Sequence, residues 1–108
     1  MAQIAQLPKP PYYAVIFTSI RSQNDEGYAE MDARMEELAK QQPGYLGIEA
    51  ASAAIGITIS YWSDLDSIRA WRANLEHAQA QRLGREKWYS AYSLRVAKVE
   101  YTRDFPQT

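Results

Sequence analysis

Residues 61–92, YWSDLDSIRAWRANLEHAQAQRLGREKWYSAY, decide how this chain folds. They hold all three Trp (Trp62, Trp71, Trp88), the only His (His77) and three of the eight Tyr. Ser63 followed by Asp66 has capping-box spacing. Leu65, Ile68 and Trp71 then recur at three-residue steps, so a helix is expected from near Asp64. On one unbroken helix, at ~100° per residue, His77 would lie half a turn from Ile68 and face away from the core. Asn74 is a strong N-cap type, and it predicts a break followed by a fresh short helix through Leu83 that turns His77 inward. Gly84 reads as the C-terminal stop. Residues 88–103, WYSAYSLRVAKVEYTR, read as a long final strand.

Working outward, residues 12–21, YYAVIFTSIR, are aromatic and β-branched and predict a strand with apolar residues on both faces. Ser22, Asn24 and Asp25 offer capping oxygens for a helix running to about Gln42. Its apolar positions Tyr28, Met31, Met35 and Leu38 form one stripe, and Pro43-Gly44 ends it. YLGIEAA (45–51) and GITISYW (56–62) predict a hairpin turning around Ser52 to Ile55, and Gly47 hints at a bulge or a close backbone approach. In GITISYW, Ile59 and Trp62 fall on opposite faces. Pro8, Pro10 and Pro11 make residues 1–11 an extended arm, with one domain over 12–108.

The order β-α-β-β-α-β predicts an α+β, ferredoxin-like protomer: an antiparallel four-stranded sheet with both helices on one side. The first, third and fourth strands carry apolar residues on both faces. One helix layer covers only one of them, and no further sequence remains for the other. A second copy packed sheet against sheet, a homodimer, is the expectation.

Composition bounds the function. At 108 residues, 46% hydrophobic and 23% charged with net charge −1, the chain reads as one soluble globular domain. Its Lys and Arg alternate with acids, so no nucleic-acid or membrane footprint is expected. No Cys is present, which removes disulfides and thiolate chemistry. No apolar run reaches signal-peptide or membrane-spanning length, and a cytoplasmic protein is expected. There is no phosphate loop, no G-x-G-x-x-G and no G-x-S-x-G. With one His and no acidic cluster at ligand spacing, no metal site is expected. Asp64 and Asp66 are explained by helix capping.

What remains is His77 among aromatics. An imidazole titrates near neutral pH, so it can take a phenolic proton or donate to a bound aromatic. The plain alternative is a surface or capping His beside a helix break. Trp71 follows the helix stripe into the core, whereas Trp62 suits a pocket wall or a dimer interface equally. Trp88 and Tyr89 anchor the last strand on the plain reading. Arg69, Arg72, Arg82 and Arg85 read as a solvated helix face, with Arg72 or Arg82 within reach of an anionic substrate.

Taken together, Tyr61-Trp62 at a strand end, Trp71 on a helix, Asn74-Leu-Glu-His77-Ala-Gln-Ala-Gln-Arg-Leu-Gly84-Arg, and then Trp88-Tyr89 and Tyr92 resemble the antibiotic biosynthesis monooxygenase (ABM) family. The resemblance spans roughly residues 12–103 and implies a dimeric α+β barrel of ferredoxin-like protomers. Family members include cofactor-independent oxygenases of polyketide-type aromatic phenols. The implied roles are His77 as proton acceptor, Trp62 and Trp71 as pocket walls, and Asn74 or Tyr89 as orienting donors, with no cofactor. The implied partner is a small aromatic or quinol-like molecule. A second reading is a non-catalytic dimeric barrel that binds or senses a small apolar ligand. A third is haem degradation, which other family members carry out with an Asn on the first strand and a Trp and a His from the second helical region. Against it, YYAVIFTSIR has no Asn, and Trp71 and His77 stand only six residues apart.

Overall fold

β1 (Tyr12–Arg21) lies inside the sheet. It pairs antiparallel with β3 (Gly56–Trp62) on one side and with β4 (Tyr89–Val99) on the other. β2 (Tyr45–Ser52) completes the order β2-β3-β1-β4. The computed structural model describes residues 3–106. All four strands run antiparallel to their neighbours, as the ferredoxin-like pattern requires.

One face of the sheet is covered by α1 (Tyr28–Lys40), α2 (Leu65–Ala73) and α3 (Leu75–Leu83). In register, Tyr13 stands opposite Trp62 and Val15 opposite Ser60. Tyr13, Val15 and Trp62 all point to the helix side, where Trp62 joins Ala39, Ile68 and Trp71 in the core. Trp62 is 0% exposed, and its indole N–H donates to Ser60 Oγ at 2.9 Å. Burying a Trp of about 200 Å² gives at most about 5 kcal/mol of transfer free energy. Trp62 therefore holds α2 to the sheet.

The break at Asn74 is present. Asn74 closes α2, its N–H bonding to Trp71 O, and opens α3, its extended backbone turning the chain between them. Its Oδ1 accepts from the backbone N–H of Glu76 (3.0 Å) and of His77 (3.1 Å), satisfying donors that a helix start leaves free. α2 is capped by Asp64, which accepts from Ser67 N, rather than by Ser63.

Three boundaries differ from the sequence reading. α1 starts at Tyr28, with Gly27 as its N-cap, because Ser22 and Asn24 use their oxygens elsewhere. Ser22 Oγ donates to Lys87 O, and Asn24 Oδ1 accepts from Glu26 N. Gly84 does not stop the third helix. It holds right-handed helical angles, and the chain continues as a π-helical turn over Gly84–Trp88. A Cβ at Gly84 would meet the Tyr89 ring at 2.9 Å, so glycine is required there by packing rather than by a left-handed cap. Trp88 consequently ends this turn, and β4 is shorter than expected at both ends, Tyr89–Val99.

The opposite sheet face is not wholly bare. The arm crosses it above β2: Ala5 N donates to Glu49 Oε2 at 3.0 Å, and Glu49 Oε1 accepts from Tyr61 OH at 2.6 Å. Gly47 makes this crossing possible, since a Cβ there would meet Ala5 and Leu7 side chains at 3.2 Å. The register of β2 also shifts between Tyr45 and Gly47, so both roles suggested for Gly47 occur. The expectation that no sequence is left for this face is thus corrected at the β2 end. Further along, Ile20 and Ile57 stay 47% and 42% exposed.

Candidate functional site

α3 begins where Asn74 sets it, and that places His77 against Trp71. The two rings stack at 4.1 Å between centroids and 13° between planes. Trp71 stacks in turn on Trp62 at 6.1 Å and 27°. The structure thus joins His77, Trp71, Trp62 and, through its caps, Asn74 into one column from helix break to sheet.

His77 Nδ1 lies 2.9 Å from Trp71 O. A carbonyl only accepts, so Nδ1 carries the proton and the neutral ring keeps its lone pair on Nε2. Burial lowers the His77 pKa below the ordinary histidine value; the Trp71 carbonyl opposes this and Arg72 adds to it. At neutral pH the ring is therefore an uncharged base. No buried side-chain nitrogen or oxygen among the described residues lacks a partner, so Nε2, which has no protein partner, reaches solvent or ligand. Because Asn74 Oδ1 is committed to two amides, its Nδ2 hydrogens are the group left to donate.

Tyr89 stands apart from this column. Its hydroxyl donates to Tyr28 OH at 3.3 Å, and its ring meets Phe17 edge-on at 5.2 Å. Burial first, then the bond to Tyr28, raises its pKa, so the phenol stays protonated. Tyr28, Tyr89, Asp32, Met35, Ala80 and Trp88 are among the lining of a cavity of about 60 Å³ between α1, α3 and the sheet. Ala80 sits three residues after His77, one turn along α3. A wider groove of about 420 Å³ lies outside, between α1 and the α3–π-turn segment, floored by Met31, Leu83 and Trp88. His77 lines neither space.

Tyr28 and Asp32 come to the cavity lining only through the fold. The available signal was a carboxylate at the i+4 position of Tyr28, inside the apolar stripe of α1. Among the described residues, no group of three or more His, Cys, Asp or Glu is placed to hold a metal ion. No helix there is long and apolar enough to cross a membrane.

Residues 11–83 match the family model described as antibiotic biosynthesis monooxygenase. The chain belongs to this family. An ABM-family assignment also agrees with the fold. SnoaB, a cofactor-independent oxygenase from Streptomyces nogalater, superposes with TM-score 0.69 at 13% identity, over 91% of this chain and 100% of that one. A protein from Shewanella oneidensis superposes with TM-score 0.72 at 6% identity, over 89% and 97% of the two chains. At such identities the likeness concerns fold alone. A Bacillus subtilis (strain 168) protein, YqjZ, described as uncharacterized, is 49% identical over 106 residues, covering 96% of this chain and 93% of its own.

Proposed function

We propose that this ABM-family protein is a cofactor-independent monooxygenase that oxidises a small aromatic or quinol-like compound with O₂, working as a cytoplasmic homodimer. The observation that carries the reading is His77: a neutral imidazole, protonated on Nδ1, stacked on Trp71, with Nε2 free. That is the state a general base for a phenolic proton needs. Removing the proton gives a phenolate whose ring carbon is electron-rich. This carbon bonds to O₂, and the resulting hydroperoxide loses water to leave a quinone. One oxygen atom ends in the new carbonyl and the other in water, and all four electrons come from the substrate. The chemistry therefore calls on no flavin or metal.

In this reading Trp71 is the apolar wall beside the substrate ring, and Trp62 backs it from the core. Asn74 orients through Nδ2, and the Tyr89 hydroxyl turns its proton from Tyr28 OH to the substrate when one enters the adjoining cavity. The second copy covers the part of the sheet that the arm leaves open, around Ile20 and Ile57.

A second reading, a non-catalytic barrel binding a small apolar ligand, is favoured by one observation: His77 lines neither cavity described above. One experiment separates them. Reduced naphthoquinols and polycyclic phenols are titrated while Trp fluorescence and dissolved oxygen are followed in the same cuvette, with no cofactor added. Quenching with oxygen loss above the uncatalysed rate supports the oxygenase; quenching without it supports the binding barrel.

A further inference from the structure

Entry to the inner cavity is a physical problem. Its volume of about 60 Å³ equals about two waters, whereas sites for small organic ligands span about 300 Å³ and upward. No naphthoquinol-sized ring enters unless a wall moves. Most of the walls are fastened. α1 is held in the core by Ala39, Met35 and Leu38, and Tyr89 belongs to β4, which pairs with β1. Trp88 is buried, and its indole N–H is tied to Glu26 O at 2.9 Å. The remaining wall is Ala80, on α3.

α3 is the least anchored of the three helices. α2 buries Ile68 and Trp71 and α1 buries Ala39, but α3 buries no residue. Its half-buried His77, Ala80, Gln81 and Leu83 supply an imidazole, a methyl, a carboxamide and one aliphatic chain. Leu75, at its start, is 86% exposed. Segments that open locally are those with little buried apolar surface. Both ends of α3 are also joints. At Asn74 a single extended residue (ψ 129°) separates it from α2, and at Gly84 the chain passes into the π-helical turn. Hinges absorb backbone change at such element ends, and π-helical turns recur at functional sites.

One ion pair closes α3 against α1. Arg34 Nε and Nη2 donate to Glu76 Oε2 and Oε1 at 2.9 and 3.0 Å, a two-pronged bond between residues 42 apart. Both side chains are about half exposed, so water and salt reach the pair. Arg34 Nη1 also lies 3.7 Å from Glu37 Oε1, one turn along α1. The guanidinium therefore keeps a partner when Glu76 leaves it. Arg34 and Glu76 line the outer groove of about 420 Å³, which shares Met31 and Trp88 with the inner cavity. Outward movement of α3 withdraws the Ala80 wall and joins the two spaces.

We propose that α3 is a lid over the substrate cavity, hinged at Asn74 and at the Gly84–Trp88 turn and latched by Arg34 to Glu76. The structure is its closed state. The lid carries His77, so closing returns the base to Trp71 as it shuts water out. The identity of the substrate rests on the oxygenase reading; the opening of α3 is a property of the free protein and is measured without turnover.

The test has two arms, both on the full chain. The first is hydrogen exchange with no ligand. Amides of residues 78–83 should exchange faster than those of α1 and α2. Arg34→Met should speed them by about two- to fivefold, the reach of an exposed two-pronged pair, and leave α2 unchanged. Arg34→Lys, which keeps the charge but loses the fork, should match Arg34→Met. Arg34→Glu combined with Glu76→Arg should restore the wild-type rate. In about 1 M salt the wild type and Arg34→Met should converge. The second arm locks the lid. The chain has no Cys, so Arg34→Cys with Glu76→Cys gives two unique thiols, bridged by a bifunctional methanethiosulfonate and released by dithiothreitol. Binding of 1-naphthol, followed by Trp fluorescence, should slow at least about tenfold on bridging and recover on release. Exchange in α3 no faster than in α2, or unmoved by Arg34→Met, would overturn the proposal. So would 1-naphthol binding equally fast to bridged and released protein, or to neither. A wild type that consumes no oxygen while both arms behave as expected would overturn the oxygenase and leave the lid standing.

Discussion

Replacing Asn74 by Ala separates the helix break from everything built on it. Oδ1 satisfies two backbone donors, Glu76 N and His77 N, and no other described side chain reaches either. Losing an N-cap of this kind costs about 1 kcal/mol, within a range of about 0.5–2. For a domain near 100 residues that corresponds to a fall of about 4–8 °C in Tm. Asn74→Asp keeps the accepting oxygen and adds a negative charge at the positive end of α3, worth about 0.3–1 kcal/mol. The Asp variant should therefore melt at or slightly above the wild type while the Ala variant melts well below it. Melts should be run at one protein concentration, because assembly shifts Tm. His77 gives the second readout. With the cap gone, its ring loosens from Trp71 and regains water, so its pKa, followed by NMR, should rise back toward 6.5. Equal melting of the two variants, or an unchanged His77 pKa in Asn74→Ala, would refute the claim that this cap sets the position of His77.

Other outcomes follow from the same contacts. Gly84→Ala gains helix propensity but drives a methyl into the Tyr89 ring, so a net loss of about 1–2 kcal/mol should appear in chemical denaturation. Gly47→Val should lift the arm from β2, seen as faster proteolysis before Tyr12 with the sheet intact by circular dichroism. Because folding lowers the His77 pKa, the unfolded chain takes up its proton first as pH falls through about 6.5. The wild type should accordingly lose stability between that pH and the lowered folded value, more than His77→Gln does, with no difference above it. Ile57→Lys, on the open part of the sheet, should convert the proposed dimer to monomer in sedimentation equilibrium while leaving the fold unchanged.

What could be read from residues alone was whatever local chemistry decides. Asn74 announced the break because an Asn that caps needs only the next few amides. The 45–62 hairpin followed from two β-rich runs around a short turn, and the aromatic, β-branched run YYAVIFTSIR already marked a strand. Other features were set by partners distant in sequence. Gly84 looks like a helix stop locally, but the ring of Tyr89 decides its role, and the helix runs on to Trp88. Ser22 and Asn24 look like caps, yet Ser22 Oγ is drawn to Lys87 O, and α1 waits until Tyr28. The arm's path depends on Ala5 and Leu7 finding the gap at Gly47. The pairing of Tyr28 with Tyr89 joins residues 61 apart, and no spacing rule connects them.

The measurement that bears most directly on the account is oxygen uptake by the wild type and His77→Ala, side by side, on reduced naphthoquinols and polycyclic phenols without added cofactor. Uptake above the uncatalysed rate is expected for the wild type and none above it for the variant, with both proteins folded by circular dichroism at the assay temperature. Uptake by His77→Ala at the wild-type rate would contradict the role given to His77, and a wild type at background across the panel would contradict the oxygenase itself.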